Sequence, residues 1–260
     1  MTEHGLTACP RQTTPRRPGA GEGEALLILQ GLERRFGTDA GIRKIDLTLR
    51  AGEILGICGV SGCGKSTLLR LIAARETPTA GRIERRFERL GMVFQEPHLL
   101  PWLTARDNVA LVRRDSAQES RAAADVALAS VGLEHARHQY PAQLSGGMRQ
   151  RVGIARALAA DADLLLMDEP FSSLDYFTSL DLLELVRRRV LERNIAVIFV
   201  SHDVREAARL CDRVAVMGGS PGRFIDTLSN PLSHAERERR PGALARFEDR
   251  VLTAIRRGQP

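Results

Sequence analysis

Gly59-Val60-Ser61-Gly62-Cys63-Gly64-Lys65-Ser66-Thr67 carries the spacing Gly-x-x-x-x-Gly-Lys-Ser that cradles phosphates. Glycines let backbone N–H groups close around phosphate oxygens, and a helix beginning near Ser66 would add its positive end. Lys65 is expected at the β- and γ-phosphates of a nucleoside triphosphate, and the Ser66 hydroxyl on Mg²⁺. A second stretch, Leu164–Pro170, reads LLLMDEP. Its apolar run ends in Asp168, a carboxylate able to hold Mg²⁺ through water, and Glu169, on the side where an attacking water would lie. For this dipeptide alone, a solvated pair at a strand end is the plain alternative. A third stretch, Leu144–Arg151, reads LSGGMRQR. Ser145, Gly146 and Gly147 open a helix with free N–H groups and no bulky side chains, which makes a second anion site in the same chain.

These groups need a scaffold in a fixed order. ILGICGV is a continuous apolar run suited to a buried parallel strand, and it feeds the glycine loop and then the helix STLLRLIAAR. ALLILQGLERRF and IRKIDLTLRAGE read as two earlier strands, and ERRFERLGMVFQE as a short strand ending near Gln95. Thr104 to about Val131 reads as helical and separates the two anion sites. LLLMDEP and IAVIFVSHD are two more apolar strands ending in polar residues, with the amphipathic helix LDLLELVRRRVLER between them. His202 follows the second of these strands, where its imidazole can reach a γ-phosphate. Residues 1–24 read as a disordered tail, 25–230 as the main domain with a helical portion over about 96–150, and 231–260 as a helical extension. With a helical insertion between them, the two anion sites cannot close on one γ-phosphate within one chain. A head-to-tail pair follows, in which each copy's LSGG caps the other's nucleotide.

Composition narrows the classes. The chain has 260 residues, 43% of them hydrophobic, enough for a full core, and no apolar run near the ~20 residues needed to cross a bilayer. Its net charge of +6 comes from scattered arginines without an aromatic-rich basic face, which argues against nucleic acid as a partner. Lysine occurs only at Lys44 and Lys65, so a compact ammonium is kept where the phosphate loop needs one. The four cysteines form no metal-ligand spacing and no disulfide framework. Cys63, among loop amides beside Lys65, sits in a setting that lowers a thiol pKa, so it reads either as an alkylatable thiol or as a small space-filler.

Over nearly all of residues 26–228 the chain resembles the ATP-binding subunits of ABC transporters, with GVSGCGKST, LSGGMRQR and LLLMDEP carrying the likeness. The resemblance implies an α/β P-loop NTPase (RecA-like) core of mixed, largely parallel sheet, an antiparallel β subdomain and an inserted α-helical subdomain. It implies ATP and Mg²⁺ as ligands, Glu169 as general base, Gln95 as a lid residue reaching metal and water, and His202 at the γ-phosphate. Phe36 becomes the candidate to stack on adenine, against a core phenylalanine. Leu144, Ser145, Gly146, Gly147 and Met148 form the signature acting in trans, and Asp175 belongs to the loop crossing the dimer interface. FQEPHLLPWLTARDNV and YPAQLSGGMRQRVGIARAL look most like the importers for nitrate, sulfonates and taurine. That subfamily implies an integral permease, an extracytoplasmic binding protein, and a peripheral place on the cytoplasmic face of the cell (inner) membrane. Pro97–Trp102 would then line a groove for a permease helix, unless Trp102 is subdomain core. The segment between Gly81 and Gly91 is shorter than the family's, which predicts a truncated peripheral hairpin. Rival members of the superfamily are an exporter ATPase and a non-transport ABC ATPase. The latter usually carries zinc cysteines, a coiled-coil insertion or two fused ATPase domains, which this chain lacks.

Overall fold

Strands that are apolar up to their carboxyl ends can only sit between two layers, and three such strands organise this chain. The structure is a computed structural model that describes residues 23–37 and 40–258. The tail expected over residues 1–24 therefore lies outside the described residues, apart from Gly23 and Glu24. Strand β3 (Ile54–Gly59) is buried along its whole length, as is β7 (Ala196–Val200), while β6 (Leu164–Asp168) is buried up to its last residue. With β5 (Leu90–Val93), β8 (Arg213–Gly218) and β9 (Arg223–Ser229) they form a six-stranded sheet in the order β5-β6-β7-β3-β8-β9. All pairings are parallel except β8 with β9.

A second, antiparallel sheet has the order β2-β1-β4, formed by β1 (Ala25–Phe36), β2 (Ala40–Arg50) and β4 (Ala80–Arg85). Its edge strand β4 passes into β5 through residues 86–89 alone, where the sequence predicts a shortened hairpin. The two sheets meet at the start of β2, where Arg43 N–H donates to the Gly222 carbonyl (2.8 Å) and Gly222 N–H to Gly41 (2.8 Å).

Helix α1 (Lys65–Ile72) follows β3 directly, with Gly64 at φ +98° turning the chain into it. The single helical stretch expected over Thr104–Val131 is instead two helices, α2 (Ala105–Ala110) and α3 (Ala117–Ser130). The break has a local cause. Ser116 and Glu119 form a reciprocal capping box that starts α3 afresh, and Arg113 pairs with Asp115 and Asp161 in the turn before it. Helices α2 and α3 pack on each other and on α4 (Gly146–Ala159), which joins this helical unit to the sheet. Helices α5 (Tyr176–Arg193) and α6 (Val204–Leu210) complete the layers, and two stretches missed in the sequence, RVAVMG and VREAARL, are β8 and α6.

Beyond β9, α7 (His234–Arg239) and α8 (Pro241–Arg257) lie against the domain. Leu244, Phe247, Val251 and Ala254 recur on one face of α8 and are buried in the core beside α6 and β8. Phe247 is 1% exposed, so Phe247→Ala should destabilise the chain by about 3–5 kcal/mol in urea denaturation. A loss below about 1 kcal/mol would mark α8 as a detachable appendage.

Candidate functional site

Three parallel strands deliver the polar groups to one edge of the sheet, because their apolar bodies leave only their carboxyl ends free for chemistry. After β3 the chain turns tightly into the loop that precedes α1. A methyl on Gly59 would stand 2.0 Å from the Met217 carbonyl oxygen, and one on Gly64 2.5 Å from Ile42 Cγ2, so both positions exclude a side chain. Gly59, Ser61, Gly62, Gly64, Lys65, Ser66 and Thr67 line a cleft of about 460 Å³ together with Gln95, Glu169 and His202. The Lys65 ammonium is folded back on its own loop, donating to the Gly59 (2.8 Å) and Val60 (3.0 Å) carbonyls. A phosphate would replace those neutral acceptors with charged ones, which make stronger hydrogen bonds.

Asp168 ends β6 beside this loop. Burial pushes its carboxyl above the ordinary range; a hydrogen bond with Ser66 and the charges of Lys65 and Arg70 pull it back, while Glu169 adds to the rise. A carboxylate kept from water next to a serine hydroxyl suits a divalent cation, which would offset the cost of its charge. Glu169 has φ +46°, a left-handed conformation costing about 1–3 kcal/mol for a residue of this kind. Its N–H is held by the Val200 carbonyl at 2.9 Å, and its carbonyl accepts from Ser172 Oγ at 3.0 Å. The turn aims the side chain into the cleft. There Gln95 Nε2 donates to Glu169 Oε2 at 3.2 Å, and His202 Nδ1 stands 3.3 Å from the same oxygen. Gln95 follows β5 and His202 follows β7, so four strand ends converge on one point.

Phe36 closes β1 opposite Ala40, one residue before Gly41, whose carbonyl lies against Gly64. It is 41% exposed and carries the Arg34 guanidinium 4.8 Å from its ring centre, so it is not a core phenylalanine. The LSGG residues lie elsewhere. Ser145 caps α4, accepting from Met148 N–H at 3.2 Å, while Leu144 is buried beneath it. Ser145 and Gly146 are exposed, and none of residues 144–148 lines the phosphate cleft. Asp175 caps α5 by accepting from Thr178 N–H at 3.0 Å, and Leu174 just before it packs toward Gly147. Trp102 is 69% exposed, which excludes the subdomain-core alternative.

Two positioning residues were missed in the sequence. Gln150, buried on α4, donates to the carbonyls of Phe94 (3.2 Å) and Pro170 (2.8 Å), tying the signature helix to the segments holding Gln95 and Glu169. Arg156, further along the same helix, donates to the Pro97 and His98 carbonyls beyond Gln95. Neither stands out in the sequence, since their partners are main-chain carbonyls distant in the chain. Ser201, the residue before His202, accepts from Asp203 N–H (3.0 Å) and donates to Glu206 (2.6 Å), which fixes the turn that carries His202.

The expectation of a lowered Cys63 pKa is overturned. The side chain turns inward, 2% exposed, and burial pushes its thiol up more strongly than Lys65 and the loop amides pull it down. Cys63 is the space-filler.

A glycine loop between a buried strand and a helix, with an Asp-Glu pair one strand away, defines a P-loop nucleoside triphosphatase. The ABC transporter family's sequence profile matches residues 42–172. The aliphatic sulfonates import ATP-binding protein SsuB of Burkholderia pseudomallei (strain K96243) is 41% identical over 248 residues, covering 93% of this chain and 74% of that protein. An SsuB 1 protein from Pseudomonas savastanoi pv. phaseolicola is 40% identical over 232 residues, covering 89% of this chain and 97% of its own length. A solved dimeric ATP-binding cassette in a post-hydrolysis state with ADP and Pi superposes with a TM-score of 0.72 at 30% identity, covering 80% of this chain and all of that one. This chain belongs to the ABC transporter family, and it is an ATP-binding ATPase.

Two outcomes test the site's electrostatics. At about pH 7, peptide mapping after iodoacetamide should find Cys63 unmodified with or without ATP; ready alkylation would contradict its burial. Asp168 binds its proton more tightly folded than unfolded, so its charge destabilises the nucleotide-free fold once pH exceeds the raised pKa. Asp168→Asn should therefore raise the melting temperature at neutral pH, and the gain should vanish below about pH 4, where the carboxyl is protonated in both states. A variant that melts lower at neutral pH would show that the carboxylate stabilises the fold instead.

Proposed function

We propose that this chain is the motor of an importer that takes up a small anion, an aliphatic sulfonate before taurine or nitrate, working as a head-to-tail pair beneath an integral permease. The sulfonate reading rests on the relatives, which are import ATP-binding proteins for aliphatic sulfonates. An extracytoplasmic binding protein would deliver the anion, and the motor would lie peripherally on the cytoplasmic face of the cell (inner) membrane. No helix among the described residues is long and apolar enough to cross a membrane, in keeping with a peripheral subunit. Exposed Trp102, in the segment after Gln95, supports a permease contact there.

The observation that carries the mechanism is the meeting of Gln95, Glu169 and His202 at one carboxylate oxygen on the rim of the phosphate cleft. Phe36 would stack on the adenine. The amides of residues 59–67 and the Lys65 ammonium would hold the β- and γ-phosphates, Lys65 leaving its two loop carbonyls to do so. Ser66, Asp168 and Gln95 would hold Mg²⁺, which neutralises charge on the phosphate oxygens when bound. Glu169 would accept a proton from the attacking water as its oxygen bonds to the γ-phosphorus. The bond from that phosphorus to the β–γ bridging oxygen breaks, leaving ADP and phosphate. His202 would hydrogen-bond the γ-phosphate oxygens and keep Glu169 oriented.

In one chain the signature amides of Ser145, Gly146 and Gly147 stand outside this cleft. A second copy bringing its signature to the γ-phosphate would complete the site, with Leu144 and Met148 framing the loop and Asp175 at the crossing. Binding would close the pair and hydrolysis would release it.

Glu169→Gln should bind ATP with near-normal affinity and accumulate as dimers in ultracentrifugation, with kcat lowered about 100-fold or more. Unchanged turnover would remove Glu169 from the base role. Ser145→Arg should leave nucleotide binding to the monomer intact and abolish hydrolysis; lost binding in the monomer would place the signature in cis.

A further inference from the structure

Helix α5 begins with two exposed aromatic side chains in succession. Tyr176 is 54% and Phe177 76% exposed, the latter the most exposed large hydrophobic residue among the described residues. Their rings meet edge to face, 5.6 Å between centres at 73°, and the backbone beneath them is fixed by the Asp175 cap. Single exposed apolar residues are ordinary, but a rigid aromatic pair is the composition of an interface centre rather than of an open surface.

The position of the pair on the fold identifies what covers it. Tyr176 lines a hollow of about 230 Å³ that also takes in Glu169, His202, Leu174 and Arg205, so this hollow adjoins the phosphate cleft through Glu169 and His202. On its other side the same loop reaches the signature, where a methyl on Gly147 would stand 3.2 Å from Leu174 Cδ2. The aromatic pair therefore lies between the two places that must exchange partners when two copies close head to tail. In a two-fold pair, the stretch joining a chain's two reciprocal contacts runs beside the axis, and residues at the axis meet their own equivalents.

We propose that Tyr176 and Phe177 are an aromatic anchor for the second copy of this chain, buried near the two-fold axis when ATP closes the pair. The inference rests on the head-to-tail pair proposed above. It adds an exposed aromatic contact beside the glycine, serine and nucleotide contacts of the signature. Nucleotide bridging gives that surface its ATP dependence, and the rings add affinity that does not depend on phosphate. The pair does not line the phosphate cleft, so its removal should spare ATP binding to the monomer.

The test uses the full-length chain carrying Glu169→Gln, with ATP and Mg²⁺, in sedimentation equilibrium. Adding Tyr176→Ser and Phe177→Ser should weaken the ATP-dependent dimer by about tenfold or more, with monomer affinity for a fluorescent ATP analogue unchanged. A dimer as strong as the parent's would overturn the anchor and leave the pair to a permease loop or a lipid surface. A Glu169→Gln parent that stays monomeric in ATP would overturn the head-to-tail pair itself, and the anchor with it. Phe177→Cys supplies a second reading that leaves most of the surface intact. A short bis-maleimide should join two Phe177→Cys chains in ATP and not without it, and a linkage indifferent to ATP would overturn the proposal.

Discussion

Strands β3, β6 and β7 are apolar along their whole buried length, so none can carry a polar group except where it leaves the sheet. Because they are neighbours and parallel, they leave it at the same edge. Everything chemical in this chain follows from that. The phosphate loop, the Asp168–Glu169 pair and Ser201–His202 are the first polar stretches after three apolar runs, and β5 brings Gln95 to the same edge. The tight turns there are enforced by close packing, with the Met217 backbone against Gly59 and the Ile42 side chain against Gly64. The antiparallel sheet and the β8–β9 turn thus act as walls that shape the loop.

The helical unit is fastened to this edge at few points. Gln150 holds the carbonyls on either side of the site, and Arg156 holds the segment after Gln95. A rotation of α4 would therefore move Gln95 and the turn after Glu169 together. A buried amide with two backbone acceptors is a stiff connection, since losing either bond strands a polar group without water. This gives a physical route between nucleotide, signature helix and the exposed segment around Trp102.

Much of this is legible in the sequence. The apolar runs ILGICG, LLLM and AVIFV are read as buried strands because nothing else accommodates such sequences at that length, and their polar ends mark the site. Local chemistry was less legible where it competed with periodicity. Alanine-rich sequence from Thr104 to Val131 looks helical throughout, yet the Ser116–Glu119 capping box and the Arg113 ion pairs interrupt it. Strand β8 was missed because RVAVMG is short and sits between helix-like and loop-like sequence, and its parallel pairing with β3 is what holds it.

Sequence alone singled out the residues able to carry chemistry, because Gly-x-x-x-x-Gly-Lys-Ser, Asp-Glu and Ser-Gly-Gly are requirements of backbone geometry and charge that few other residues meet. Tertiary structure decided the matters that depend on distant neighbours. It turned the Cys63 thiol inward and raised its pKa despite an electropositive loop, since burial outweighs Lys65. It gathered Gln95 and His202 on one oxygen of Glu169 from strands far apart in the chain. It left Phe36, Trp102 and the Tyr176–Phe177 pair in solvent, which no hydrophobic pattern foretells, because exposure is a property of what the rest of the chain fails to cover.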